Sequence, residues 1–265
     1  MNIFNSLRSS GKKTLMPFLT AGYPNLPTTG LLLREMETCG VRICELGVPF
    51  SDPIADGPTI QASYTEALNA GVTVDGIFDV VRTYRAAGGN LALCAMVSYS
   101  IVFRRGFKAF CTAAAAAGFD GLIVPDLPLG SQADLAPHVE SAGLCNVMLI
   151  APTTPDDRKA DIAKASRGFV YYISVAGITG ERTALPEETI RAVAELRTHT
   201  DTPICVGFGI SNAKTVKHVC EVADGAIVGS AIIHRITDAM KAGKSNEDTA
   251  KAVSQFVSEL IAPVK

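Results

Sequence analysis

Eight short runs rich in valine, isoleucine and leucine recur along the chain with helix-patterned segments between them: 15–19, 43–46, 91–97, 121–124, 146–150, 169–174, 203–208 and 226–228. Their hydrophobicity is continuous rather than alternating. Both faces of each strand are therefore buried, as in parallel strands wrapped by helices. Helix punctuation separates them. Thr154-Pro155-Asp156-Asp157 is expected to cap a helix over 156–166, with Thr154 at the N-cap and Pro155 at the first helical position. Ser211 is expected to cap a helix whose inner face is Val216, Val219 and Cys220. Ser245 is expected to cap a last helix with Val253, Phe256, Val257, Leu260 and Ile261 as its stripe and Pro263 at its end. Eight β-then-α units without a linker point to a single α/β domain over 1–265, a closed (β/α)8 TIM barrel rather than an open doubly wound sheet.

The 265 residues are 48% hydrophobic and 19% charged, enough apolar material for a barrel interior and an encircling helical layer. A net charge of −2 gives no electrostatic reason for a nucleic-acid partner or an anionic membrane surface. The seven cysteines are odd in number, scattered and without a CxxC pair, and read as reduced core thiols. No stretch has the length or apolar content of a signal peptide or a membrane span, so the cytoplasm is the expected location. The four histidines (138, 199, 218 and 234) have no second ligand at metal-binding spacing, which supports neither a zinc site nor a histidine base.

In a barrel of this kind the loops after the strands' C-terminal ends build the active site. The second run ends Cys44-Glu45-Leu46-Gly47, an acid inside an apolar strand. Desolvation there raises the pKa of a carboxyl group and makes it a general acid or base near neutral pH; a structural ion pair inside the barrel explains Glu45 equally well at this point. A long loop follows, with prolines at 49, 53 and 58 that reduce the entropy of ordering it. Asp56 lies eleven positions beyond Glu45, far enough for the chain to fold back and place both acids around one ligand. Asp52, followed by Pro53, suits turn geometry or a partner surface better than proton transfer. At the same end of the barrel three turns after the sixth, seventh and eighth runs, 176–180, 207–211 and 228–230, are rich in glycine and contain no lysine or arginine. Their amide N–H groups, with a helix opening after Ser230, suit a phosphate bound through neutral donors.

The stretch Glu45-Leu46-Gly47-Val48-Pro49-Phe50-Ser51-Asp52-Pro53, continued by Ala55-Asp56-Gly57-Pro58-Thr59-Ile60-Gln61, resembles the tryptophan synthase α chain. The likeness extends through 17–24, Asp126-Leu127-Pro128, Ile150-Ala151-Pro152, 172–180 and Gly229-Ser230, in order along essentially the whole chain. It implies a lyase of tryptophan biosynthesis that cleaves indole-3-glycerol phosphate, by a retro-aldol reaction, to indole and glyceraldehyde 3-phosphate. It further implies Glu45, Asp56 and Tyr172 at the chemistry, and Gly180, Phe208, Gly209, Gly229 and Ser230 on the phosphate. An indole pocket of Phe18, Val97, Leu127, Ile150 and Phe208 is expected, with a lid around Thr179. Asp52, Pro53 and Pro128 match contacts to a β chain in an α2β2 heterotetramer. No cofactor is expected on this chain, and pyridoxal phosphate would sit on the β partner. Tyr99-Ser100-Ile101 and Val175 depart from common family patterns, which leaves coupling to a β chain open. The alternatives are a stand-alone lyase that releases indole, a catalytically silent activator of a β chain, and a phosphosugar isomerase on the same scaffold.

Overall fold

The computed structural model describes residues 13–53, 56–127, 129–174, 187–207 and 209–264. Eight parallel strands close into a barrel in sequential order: β1 (Thr14–Thr20), β2 (Ile43–Gly47), β3 (Ala92–Met96), β4 (Gly121–Ile123), β5 (Cys145–Ile150), β6 (Val170–Ile173), β7 (Ile204–Gly207) and β8 (Gly225–Val228). The eight apolar runs locate these strands, and the structure trims several at their ends. The α/β fold class and the closed barrel read from the sequence are both correct.

Eleven α-helices lie among the described residues: α1 (Leu26–Thr38), α2 (Pro58–Asn69), α3 (Val74–Ala86), α4 (Tyr99–Arg105), α5 (Phe107–Ala117), α6 (Gln132–Ser141), α7 (Asp156–Ala165), α8 (Glu187–Leu196), α9 (Ala213–Val222), α10 (Ser230–Lys241) and α11 (Asn246–Ile261). Val216, Val219 and Cys220 form the buried apolar stripe of α9, as the sequence spacing implies. Two of the expected caps are corrected. Asn212, not Ser211, caps α9, because its Oδ1 accepts from Thr215 N–H at 3.0 Å. Pro155, not Thr154, occupies the N-cap of α7; the Thr154 hydroxyl turns back to accept from Ala151 N–H at 3.0 Å and closes the preceding turn. Ser245 caps α11 as expected, its hydroxyl accepting from Asp248 N–H at 3.1 Å.

In parallel strands register partners share a face. Phe18 pairs with Glu45 and Glu45 with Cys94, while Tyr171 pairs with Cys205 and Cys205 with Gly225. These side chains form the inner face. Glycines make room where the lumen is tight: a Cβ on Gly225 would lie 2.8 Å from the Cys205 sulfur. All seven cysteines are buried. No helix among the described residues is long and apolar enough to cross a membrane.

The end of the barrel opposite the chemistry is held by two matching clasps. Asp120 and Asp224 each precede the glycine that opens a strand, β4 and β8 respectively. Asp120 donates its N–H to Leu93 O and accepts Leu93 N–H on its carboxylate, both at 2.8 Å. Asp224 repeats the pattern on Ile204, again at 2.8 Å in both directions. Arg85 and Arg197 close the two clasps with ion pairs to Asp120 and Asp224. The second is the more buried, with 14% of the Asp224 side chain exposed. Replacing Asp224 by alanine strands the Ile204 N–H and a half-buried guanidinium. It should cost about 2–3 kcal/mol in urea or thermal unfolding, whereas Asp79→Ala, which removes an exposed helix-surface pair, should stay within about 0.5 kcal/mol.

Candidate active site

Glu45 sits mid-strand in β2 on the inner face, so its position is fixed by the barrel itself. It is 0% exposed, and neither carboxyl oxygen has a hydrogen-bond partner. Among the described residues no cation pairs with it. Burial pushes its pKa well above the ordinary carboxylate range. Burial thus favours the protonated form of the group, because an ionised carboxylate without partners in an apolar interior is far costlier than a protonated one.

Asp56 comes down from the loop after β2. Its N–H donates to Pro53 O at 3.1 Å, and the Gln61 side chain on α2 donates to Asp56 O at 2.8 Å and Pro53 O at 3.3 Å. Pro58 in the first turn of α2 sets the return of the chain. Asp56 lines a pocket with Val48, Tyr64, Met96, Val97, Ser98 and Asp126. Burial, and then the like charge of Asp126, raise its pKa to about 6. Asp126 is itself fixed, accepting from the Ser98 hydroxyl and from Tyr99 N–H, both at 2.7 Å. Glu45 does not line this pocket, being sealed beneath it. Burial, then the charges of Asp56 and Glu45, raise the pKa of both Tyr64 and Tyr171.

Tyr172, the tyrosine expected at the chemistry, is on the wrong face of β6. It points outward, where burial and then Glu188 and Glu195 of α8 raise its pKa. Tyr171 takes the inward place, with its hydroxyl over Gly207, where a Cβ would lie only 2.5 Å away. Side chains alternate along a strand, so a one-residue shift exchanges the two faces. The adjacent tyrosines are indistinguishable until the register with Cys205 is known.

Of the expected indole pocket, Phe18 lies on the inner face and packs over Gly47 and against Gly229. Val97 lines the pocket rim and Leu127 is half-buried beyond β4. Ile150 pairs with Tyr172 and shares its outward face, a second correction of parity. Met96 and Ile123, missed in the sequence, pair with one another on the face that Gly47 and Glu45 share. On the anion side, Gly209 has φ +74°, and Gly229 caps α10 with Ser230 as its first residue. Gly180, Phe208, Thr179 and Pro128 lie outside the described residues. Asp52 and Pro53 stand at the pocket rim, with the Ser51 hydroxyl donating to Asp52 at 2.6 Å. A feature the sequence reading missed lies close by: Phe103 on α4 is 63% exposed, with the rings of Tyr99 and Phe107 at 5.6 and 6.0 Å. An aromatic directly after buried Val102 on a short helix was its only sequence signal.

The family model described as tryptophan synthase alpha chain matches residues 4–262. The chain belongs to this family. Among its relatives, the tryptophan synthase alpha chain of Rhodopirellula baltica is 45% identical over 257 residues, covering 96% of this chain and 92% of the relative. That of a Picosynechococcus species is 43% identical, covering 97% and 96%. Of solved structures, tryptophan synthase subunit alpha from Legionella pneumophila superposes with a TM-score of 0.90 at 30% identity, covering 100% of this chain and 98% of that one. Mycobacterium tuberculosis tryptophan synthase gives 0.87 at 33% identity, covering 99% and 96%. In this α chain the raised pKa of Asp56 has a consequence for folding. A carboxyl group that binds its proton more tightly when folded contributes stability below its unfolded pKa near 4 and loses it as pH rises through about 6. Asp56→Asn should therefore be more stable than the parent at pH 8, on the order of 2 kcal/mol given partial solvent access, and gain little at pH 4 when both are unfolded in urea.

Proposed function

We propose that Glu45 and Asp56, assisted by Tyr171, carry the carbon–carbon lyase reaction of the tryptophan synthase α family in this chain, cleaving indole-3-glycerol phosphate to indole and glyceraldehyde 3-phosphate. The observation that supports it best is the fully buried Glu45 on the inner face of the barrel, without a hydrogen-bond partner and with its pKa pushed up by burial, in the strand whose following loop carries a second acid with a pKa of about 6. The reaction needs a proton delivered to indole C3 and another removed from the side-chain hydroxyl. Glu45 gives its proton to C3. The resulting carboxylate takes the hydroxyl proton as the carbon–carbon bond breaks, the bonding electrons return to the ring and the aldehyde forms, so Glu45 ends in the protonation state in which it began. Asp56, ionised above about pH 6, accepts the indole N–H and stabilises the positive charge that C3 protonation places on the ring. The two acids are required in opposite states, a division set by depth of burial.

Phe18, Met96 and Ile123 supply an apolar wall for a flat ring on the Glu45 face. Gly209, Gly229 and Ser230, with Gly180 and Phe208, hold the phosphate through neutral N–H and O–H donors and the N-terminus of α10. Thr179 belongs to the lid that excludes water. Indole is apolar and easily lost, which favours a β-chain partner in an α2β2 assembly that carries the pyridoxal phosphate. Asp52, Pro53 and Pro128 are the proposed contacts. The exposed ring of Phe103 extends that surface, and Asp126 ties α4 to the pocket wall. The geometry around Glu45 and Asp56 speaks against a silent activator.

Glu45→Gln should abolish indole release while ligand binding and unfolding stay close to those of the parent, and unchanged turnover would remove Glu45 from the mechanism. Asp56→Asn should lose several powers of ten in kcat, about 10²–10⁴ if it acts by charge stabilisation.

A further inference from the structure

A group the reading above leaves unused is Tyr64, on the inner side of α2. It is 3% exposed and lines the Asp56 pocket. Its place is set from two sides. One residue earlier, Ser63 meets Thr20 of β1 at 2.6 Å between hydroxyls and donates to Ile60 O at 2.7 Å, which pins α2 to the mouth of the barrel. On the other side the phenol hydroxyl rests over Gly47, where a Cβ would lie 2.5 Å from its oxygen. Gly47 follows Glu45 by two residues and shares its face. Two strand residues advance about 6.6 Å, within the span of a Glu side chain turned toward the mouth, while in this structure neither Glu45 oxygen has a hydrogen-bond partner.

Once Glu45 has released its proton, a carboxylate stands where, among the described residues, no cation pairs with it. Cys94, a weak donor, is in register with it on the inner face, and the Tyr64 hydroxyl lies over Gly47 two residues further along the same face. We infer that Tyr64 is a positioning residue of the lyase site, whose hydroxyl over Gly47 donates the hydrogen bond that holds the Glu45 carboxylate after proton delivery. Burial, then the charges of Asp56 and Glu45, keep the phenol protonated, so its hydroxyl is always available to donate. The inference rests on Glu45 as the proton donor, which Glu45→Gln tests separately.

The donor stabilises the carboxylate that proton delivery leaves behind, so its loss slows that step, and because it also lowers the pKa of Glu45, which must be protonated for cleavage, its loss shifts the alkaline limb. Tyr64→Phe, which keeps the ring on Gly47, should therefore lower kcat about tenfold or more with KM changed less than about twofold. It should also move the alkaline limb of the kcat/KM profile to higher pH. Placing 3-fluorotyrosine at position 64 strengthens the donor with almost no change of shape and should move that limb to lower pH. If both proteins keep the parent's limb, the inference is overturned, whether or not Tyr64→Phe has lost stability, because a residue that only packs shifts no titration. Loss of cleavage in Glu45→Gln alongside an unmoved limb in the Tyr64 variants would sink this inference and leave the assignment of Glu45 standing.

Discussion

A carboxyl group closed inside an apolar barrel without a hydrogen-bond partner is a costly thing to build, and the rest of the site is arranged around it. Burial without a hydrogen-bond partner pushes the Glu45 pKa up, with a phenylalanine and a thiol as its register neighbours on the inner face. A raised pKa favours the protonated form, the one able to deliver a proton to carbon. Asp56 meets the complementary requirement because it hangs from a loop that water still reaches. Depth of burial thus separates two chemically equivalent side chains into one proton carrier and one charge partner.

The barrel divides its labour along its axis. At one end Asp120 and Asp224 clasp adjacent strands through paired hydrogen bonds and an arginine each, a closed and satisfied arrangement. At the other end the Glu45 carboxyl lacks a hydrogen-bond partner, and rings pack over glycines such as Gly47 and Gly207. Stability is concentrated in the first and frustration in the second, as expected of a scaffold whose chemistry sits on its loops.

Much of this was legible in the sequence. Continuous apolar runs located all eight strands, because parallel strands buried on both faces have no other pattern available. Glu45 stood out as an acid within such a run, and Asp56 by its distance along a proline-stiffened loop. What the sequence could not supply was parity and register. Tyr171 and Tyr172 are adjacent and chemically identical, and only pairing with Cys205 decides which one enters the barrel; Ile150 went astray for the same reason. The caps of α7 and α9 were displaced by one residue, because Thr154-Pro155 and Ser211-Asn212 each offer two plausible caps and local geometry selects between them. Tyr64 and Phe103 were invisible until helices α2 and α4 were placed against the barrel mouth, one turned inward and the other left in solvent.

The central claim is that Glu45 stays protonated at neutral pH until substrate takes its proton. Difference infrared spectroscopy between the parent chain and Glu45→Gln, with carboxyl carbons isotopically labelled, reads that state directly. A protonated-carboxyl stretch assigned to residue 45 that persists at pH 7 and above is the result this account requires. An ionised carboxylate band at that position at pH 7 would contradict it.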